Sequence, residues 1–269
     1  MSIAPGALLF ARYAYPPNEL GLCGAARPRE LIEYGDAAES DGGLAELART
    51  FDGAWPYLEL IAHANRIESP LDPRVVQAYW VGNGLLDRVA PEELARHVED
   101  RFGPRIGRAR EHVVDAVAAG AVPHHCFHVF AVYPWLGLLR TGVVDEPLRV
   151  LDRCRTTPAR VLSVDGDTAE VSLRPLLWCP PELGLGSPQV RQVRWQSSGL
   201  SFVPSLRPGD RVALHWDFVC DVLDAAEERA LRLATRRSLA AVNTGSGTSR
   251  MAATGAGSII GGALDRIHQ

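Results

Sequence analysis

The chain has 269 residues, 46% of them apolar and 22% charged, and a formal net charge of −4 with its histidines neutral. All 28 basic residues are arginine. A Schiff-base lysine and a P-loop lysine are therefore excluded, since both need a primary amine on a flexible stem. The negative balance argues against a general nucleic-acid binder, which needs a basic face.

No apolar run reaches the roughly 18 residues of a membrane helix. The first ten residues lack the charged start of a signal peptide. Cys23, Cys126, Cys154, Cys179 and Cys220 contain no CxxC pair. Free thiols in a reducing cytoplasm are expected, not a disulfide framework.

The early segment Tyr13–Gly24 is dense in aromatics, Pro and Gly, which predicts an ordered loop. Helical periodicity follows. Glu30–Thr50 carries spaced apolar residues, with a break expected at Gly42-Gly43. Arg74–Val89 forms the next segment after Asp72-Pro73. Pro91-Glu92-Glu93 opens another helix, because Pro suits the first helical position and acids suit the first turn. Pro104–Ala119 follows, with apolar residues mostly three and four apart.

From about residue 151 the period changes to strands. Ala159–Val164 and Thr168–Arg174 flank the turn signal Asp165-Gly166-Asp167. Gln189–Trp195, Leu200–Val203 and Arg211–Trp216 complete five short strands. Asp224–Leu239 reads as a helix, and the Gly/Ser/Ala-rich stretch beyond it lacks periodicity. The expected fold class is α+β. A mostly α-helical domain spans 1–150, and a small OB-like β-barrel with a C-terminal helix spans 151–241. A flexible tail covers 242–269.

Two segments bracket the expected barrel. Cys154 is followed by Pro158, Arg160 and Val161. Gly209, Asp210, Val212, His215 and Phe218 close it, ahead of an acidic helix start at Glu227 and Glu228. This register resembles the HypC/HupF family of NiFe-hydrogenase maturation chaperones over about residues 151–240. Asp217 stands where that family has glycine, and Cys154 is internal where the family's cysteine becomes N-terminal. Asp217 could either orient His215 or face solvent.

The resemblance implies a maturation factor that is not an enzyme. Iron, as a transient Fe(CN)2(CO) unit, would be held by Cys154 and His215. The unit would pass from a maturation scaffold protein to the hydrogenase large subunit. The residue chemistry is compatible, because a thiolate and a neutral imidazole both ligate iron.

A second cluster lies in the helical part. His124-His125-Cys126-Phe127-His128 packs four potential ligands into five residues. His124 and His128 share a face only if this stretch is helical. With Cys126 they form an alternative metal site, whose missing ligands could come from His63, His112 or Cys23. That alternative makes the protein a metal- or small-ligand-dependent enzyme. A third reading is a non-catalytic interaction protein. Neither nucleic acid nor membrane is expected as a partner.

Overall fold

A computed structural model describes residues 5–38, 40–106 and 110–244. Helices dominate the first part: α1 (Gly6–Glu19), α2 (Pro28–Ala37), α3 (Gly42–Arg49), α4 (Trp55–Ala64) and α5 (Pro73–Trp80). A 3-10 turn, Leu86–Arg88, leads to α6 (Pro91–Ile106) and α7 (Arg110–Ala118). The short α8 (His125–Phe127) runs directly into a π-helical segment, His128–Val132. Then come α9 (Trp135–Arg140) and α10 (Asp145–Cys154).

Local chemistry explains several boundaries. Asp41 caps α3 by accepting from the Leu44 amide at 3.2 Å, and Asp72 caps α5 by accepting from the Arg74 amide at 2.9 Å. The break expected at Gly42-Gly43 falls earlier. Ala38 takes the left-handed conformation that ends α2, and the two glycines open α3 behind its cap. Pro104 lies inside α6 and does not open the next helix.

The segment from Tyr13 is also corrected. It is helical as far as Glu19, with Pro16 and Pro17 inside α1. A proline costs its own hydrogen bond four residues back, which a final turn tolerates more readily than a helix centre. The reversal follows later, at Gly21 and Gly24, both with positive φ. The buried Asn18 holds that reversal by donating to the Cys23 and Ala25 carbonyls, each at 2.6 Å.

The second part carries β1 (Thr157–Asp165), β2 (Thr168–Leu173), β3 (Leu176–Cys179), β4 (Glu182–Leu185), β5 (Gln189–Arg194), β6 (Arg211–His215) and β7 (Phe218–Val222). The helix α11 (Ala225–Thr244) ends the described chain. Strands pair in the order β1-β2-β5-β7-β6, and β6 returns to β1, so the sheet closes on itself. β3 and β4 form a separate hairpin.

Leu200–Val203 is not a strand; only an isolated bridge, Ser197 to Leu200, forms there. The fifth strand of the ring is β7, which directly follows the expected β6. Asp224 caps α11 by accepting from the Ala226 and Glu227 amides, and Glu227 reciprocates to the Asp224 amide. The helix runs to Thr244, past the expected start of the tail at 242. Residues 245–269 of that tail lie outside the described residues.

The apolar interior does not divide at residue 150. One core joins α1, α4, α5 and α8 to Ala213, Phe218 and Cys220 of the sheet and to Leu231 and Leu239 of α11. Tyr15 packs edge-on against both Phe202 and Phe218, at 5.4 and 5.3 Å. A smaller core, with Val161, Val171 and Val212, fills the sheet interior. α1 is thus packed against β6 and β7, and that contact builds the site.

Candidate metal centre

His125, Cys154 and His215 converge from three elements: α8, the C-terminus of α10 and the end of β6. One ligand atom from each lies within 4.8 Å of the others, and all three side chains are buried. The ring centroids of His125 and His215 are 4.9 Å apart. Trp80 closes one side, at 4.5 Å from His125 and 5.5 Å from His215. Tyr13 stacks on Trp80, with ring centroids 5.4 Å apart.

Hydrogen bonds assign the protons. His215 Nδ1 lies 2.7 Å from the Tyr13 carbonyl oxygen. A carbonyl only accepts, so Nδ1 carries the proton and Nε2 holds the lone pair. That Nε2 atom is buried and makes no hydrogen bond of ordinary geometry, although the Cys154 carbonyl also acts on the ring. Buried polar atoms are nearly always satisfied, so an orphaned lone pair here calls for a ligand. A histidine that gives its other N–H to a backbone carbonyl is the usual arrangement around a metal.

The Tyr13 carbonyl is available for a sequence-encoded reason. Within α1 its ordinary donor would be the amide four residues on, but residue 17 is proline and has no N–H. His215 fills the role that the helix leaves vacant.

His125 is held by the same logic. Its Nε2 lies 2.7 Å from the Cys154 carbonyl, and its Nδ1 lies 3.2 Å from the Tyr79 hydroxyl. Tyr79 also lies 3.2 Å from the Gly53 carbonyl, a second acceptor for its proton. A metal that takes His125 exchanges one of these hydrogen bonds for a coordinate bond.

Burial sets the protonation states. It pushes His215 down to about 4 and His125 well below the ordinary imidazole value, so both rings are neutral at pH 7. Burial pushes the Cys154 thiol well above its ordinary value, while the Trp216 indole opposes that shift. Two neutral imidazoles and a protonated thiol can accept a cation with release of the thiol proton. This donor set fits a borderline or soft metal ion and does not fit Ca2+ or Mg2+, which take oxygen.

Cys154 is fixed by a charge network on both sides of it in sequence. The buried Asp152 carboxylate accepts from Arg155 at 3.1 Å, from Arg191 at 2.6 Å and from the Leu176 amide at 2.8 Å. Arg191 also reaches Asp217 at 3.1 Å, and Arg153 reaches Asp217 at 3.0 Å. Asp217 therefore neither orients His215 nor faces solvent unpaired. With Trp216 it forms a two-residue hairpin loop between β6 and β7, both residues having positive φ. The Trp216 amide donates to the Arg153 carbonyl at 2.8 Å, tying that loop to α10.

The structure brings Cys154 and His215 together and leaves the other expected ligands apart. His124 is the N-cap of α8, accepting the Cys126 amide at 3.0 Å. The Cys126 thiol sits against the Thr156 carbonyl and the Thr235 hydroxyl, at 3.9 and 3.8 Å. His128 packs among Tyr57, Phe102 and Tyr133, with Nδ1 3.1 Å from the Tyr57 hydroxyl. His63 is exposed and His112 half-buried on other helices. Burial pushes Cys23 up to about 11, and it pairs with Tyr133. Among the described residues the three-ligand group is His125, Cys154 and His215, not His124, Cys126 and His128.

Sequence reasoning missed the role of His125. Helical spacing favours His124 with His128, but His124 is extended, with φ −107° and ψ 152°, so the helix begins one residue later. The only available signal was that His125 belongs to the histidine run. Among the described residues no helix is long and apolar enough to cross a membrane, and all five cysteines are free. No curated protein and no solved structure matches the chain. A family model does match, over residues 2–249, and the chain belongs to that family, one of unknown function designated DUF6390.

Proposed function

We propose that this protein is a NiFe-hydrogenase maturation factor that handles or delivers the Fe(CN)2(CO) unit. Cys154 and His215 hold the iron, and His125 adds a third donor. The unit arrives from a maturation scaffold protein and leaves to the hydrogenase large subunit. The cargo's three diatomic ligands and three protein donors complete six positions on iron. Cys154 supplies a strongly donating thiolate, and the two imidazoles remain neutral and available at physiological pH. A closed ring of five strands supports this reading, since the chaperone resemblance implies a small barrel.

The observation that carries this reading is the buried His125–Cys154–His215 group, with the His215 Nε2 lone pair left unpartnered. The test is to produce the chain without oxygen alongside the maturation machinery, then record metal content and infrared spectra. Cyanide and CO stretching bands with iron near one per chain are expected, and Cys154→Ala should abolish them. A folded wild-type protein without such bands, or bands that survive Cys154→Ala, would sink the proposal.

A second reading places a resident zinc ion on the same three side chains. The three N and S donors leave one position open, as in catalytic zinc sites. Stoichiometric zinc in protein made without the machinery, with no diatomic bands in its presence, favours this reading.

A further inference from the structure

We infer that the protein has a second, separate ligand site, an arginine-lined cleft that takes a small molecule bearing phosphate groups. The cleft lies between β1, β2 and α11 and has a volume of about 360 Å³. That volume falls in the range of small-molecule sites. It is independent of the metal reading.

The charge of the cleft is opposite to that of the chain. Arg160, Arg174, Arg232 and Arg236 line it, while Glu228 is the one carboxylate in the lining. Arg155 also lines the cleft, but Asp152 already compensates it inside the core. Glu228 pairs with Arg232 at 2.6 Å and also with Arg211 outside the cleft, which leaves Arg160, Arg174 and Arg236 without a carboxylate in the lining. A positive excess of about three charges is thus gathered in a protein whose net charge is −4. Like charges gathered along one cleft repel one another unless an anion joins them.

Two of these guanidiniums are oriented without being neutralised. Arg160 donates to the Gly209 carbonyl at 3.0 Å, and Arg174 donates to the Gly186 carbonyl at 2.7 Å. A carbonyl fixes the fork and leaves its positive charge and remaining N–H groups in place. Such preset forks match phosphate oxygens bidentately. Arg232 and Arg236 stand one turn apart on α11, so both reach the same side. Leu162, Leu173 and Leu185 supply an apolar wall for the rest of the ligand. An excess of three charges exceeds what one carboxylate needs and suits a diphosphate.

The test uses the full chain, with EDTA present so that no metal bridges the ligand. Inorganic pyrophosphate is titrated by calorimetry, with citrate as a carboxylate control. Saturable binding at about one per chain is expected for pyrophosphate, tighter than for citrate. Arg160→Ala with Arg236→Ala should weaken it by about tenfold or more, since each exposed arginine contributes a charge-assisted hydrogen bond. Arg236→Glu alone should weaken it in the same direction, and a far-ultraviolet spectrum verifies the fold of both variants. Cys154→Ala should leave it unchanged. Absence of saturable binding up to about 1 mM, equal affinity in both folded arginine variants, tighter citrate binding, or loss in Cys154→Ala would overturn the inference.

Discussion

His215 donates its Nδ1–H to the Tyr13 carbonyl across 2.7 Å, joining the last residue of β6 to the middle of α1. The acceptor exists because Pro17 cannot supply the helical amide that would otherwise occupy it. A proline in one half of the chain thereby selects the tautomer of a histidine some 200 residues away. Pro17→Ala restores the competing donor. It should extend the α1 hydrogen-bond ladder and weaken Co2+ binding by about tenfold, the usual effect of losing an outer-shell partner. A cobalt titration followed by its thiolate absorption checks this, and unchanged affinity would show that the proline is incidental.

His125 and His128 are three residues apart and have different surroundings. His125→Gln should lower metal stoichiometry in a cobalt or zinc titration, because it removes one of the three grouped donors. His128→Gln should leave stoichiometry unchanged, because His128 faces Tyr57 and Tyr133. The reverse outcome would return the centre to the His124–His128 run.

The metal-free protein should lose stability steeply as pH falls. Burial lowers His97 and His215 to about 4 and His124 to about 3. Their unfolded values lie near 6.5. Between those limits the unfolded chain binds more protons, so stability falls as pH drops. Asp221 acts oppositely. Burial raises it to about 6, so it favours the folded state as pH falls from 6 toward 3.8. His125, which burial also pushes well below its ordinary value, adds to them, so four histidines against one carboxyl leave a net slope of about 4 kcal/mol per pH unit between roughly pH 4 and 6. Urea midpoints across that range measure it. His97→Gln should reduce the slope by about 1.4 kcal/mol per pH unit, and a slope unaffected by it would contradict the assignment.

Asp152→Asn should destabilise the fold by about 3–5 kcal/mol, because Arg155 is 1% exposed and would remain as a buried charge without its carboxylate. Arg29→Ala breaks an exposed pair with Glu33 and should change stability by less than about 1 kcal/mol. Urea denaturation of the two variants compares them directly. Similar small losses would mean that the Asp152 network does not anchor α10 to the sheet.

Gly6 packs against the backbone of Leu71 so closely that an added Cβ would lie 1.8 Å from the Leu71 carbonyl oxygen. Gly6→Ala must therefore shift α1, at a cost of about 3 kcal/mol. Because α1 carries Tyr13, the same variant should also weaken cobalt binding, and a loss of stability alone would separate α1 packing from the site.

Local chemistry was legible where it is local. The acid-start helices at Pro91 and Asp224 and the β1–β2 hairpin follow from capping and turn rules, whereas the pairing of Cys154 with His215 was implied only by the family resemblance. Pro16-Pro17 misled, since a double proline signals a loop unless packing against β6 and β7 holds the helix through it. Leu200–Val203 misled in the same way, because a short apolar run has no intrinsic strand identity until a neighbour offers its edge.

The sequence by itself determined which residues have ligand chemistry: the cysteines, the histidine run and His215. Tertiary structure alone decided that His125, and not His124 or His128, joins Cys154 and His215. The reason is geometric. His124 leaves the helix as its cap, which rotates the ligand face by a residue, and the partners arrive from α10 and β6 through long-range packing that no spacing rule encodes.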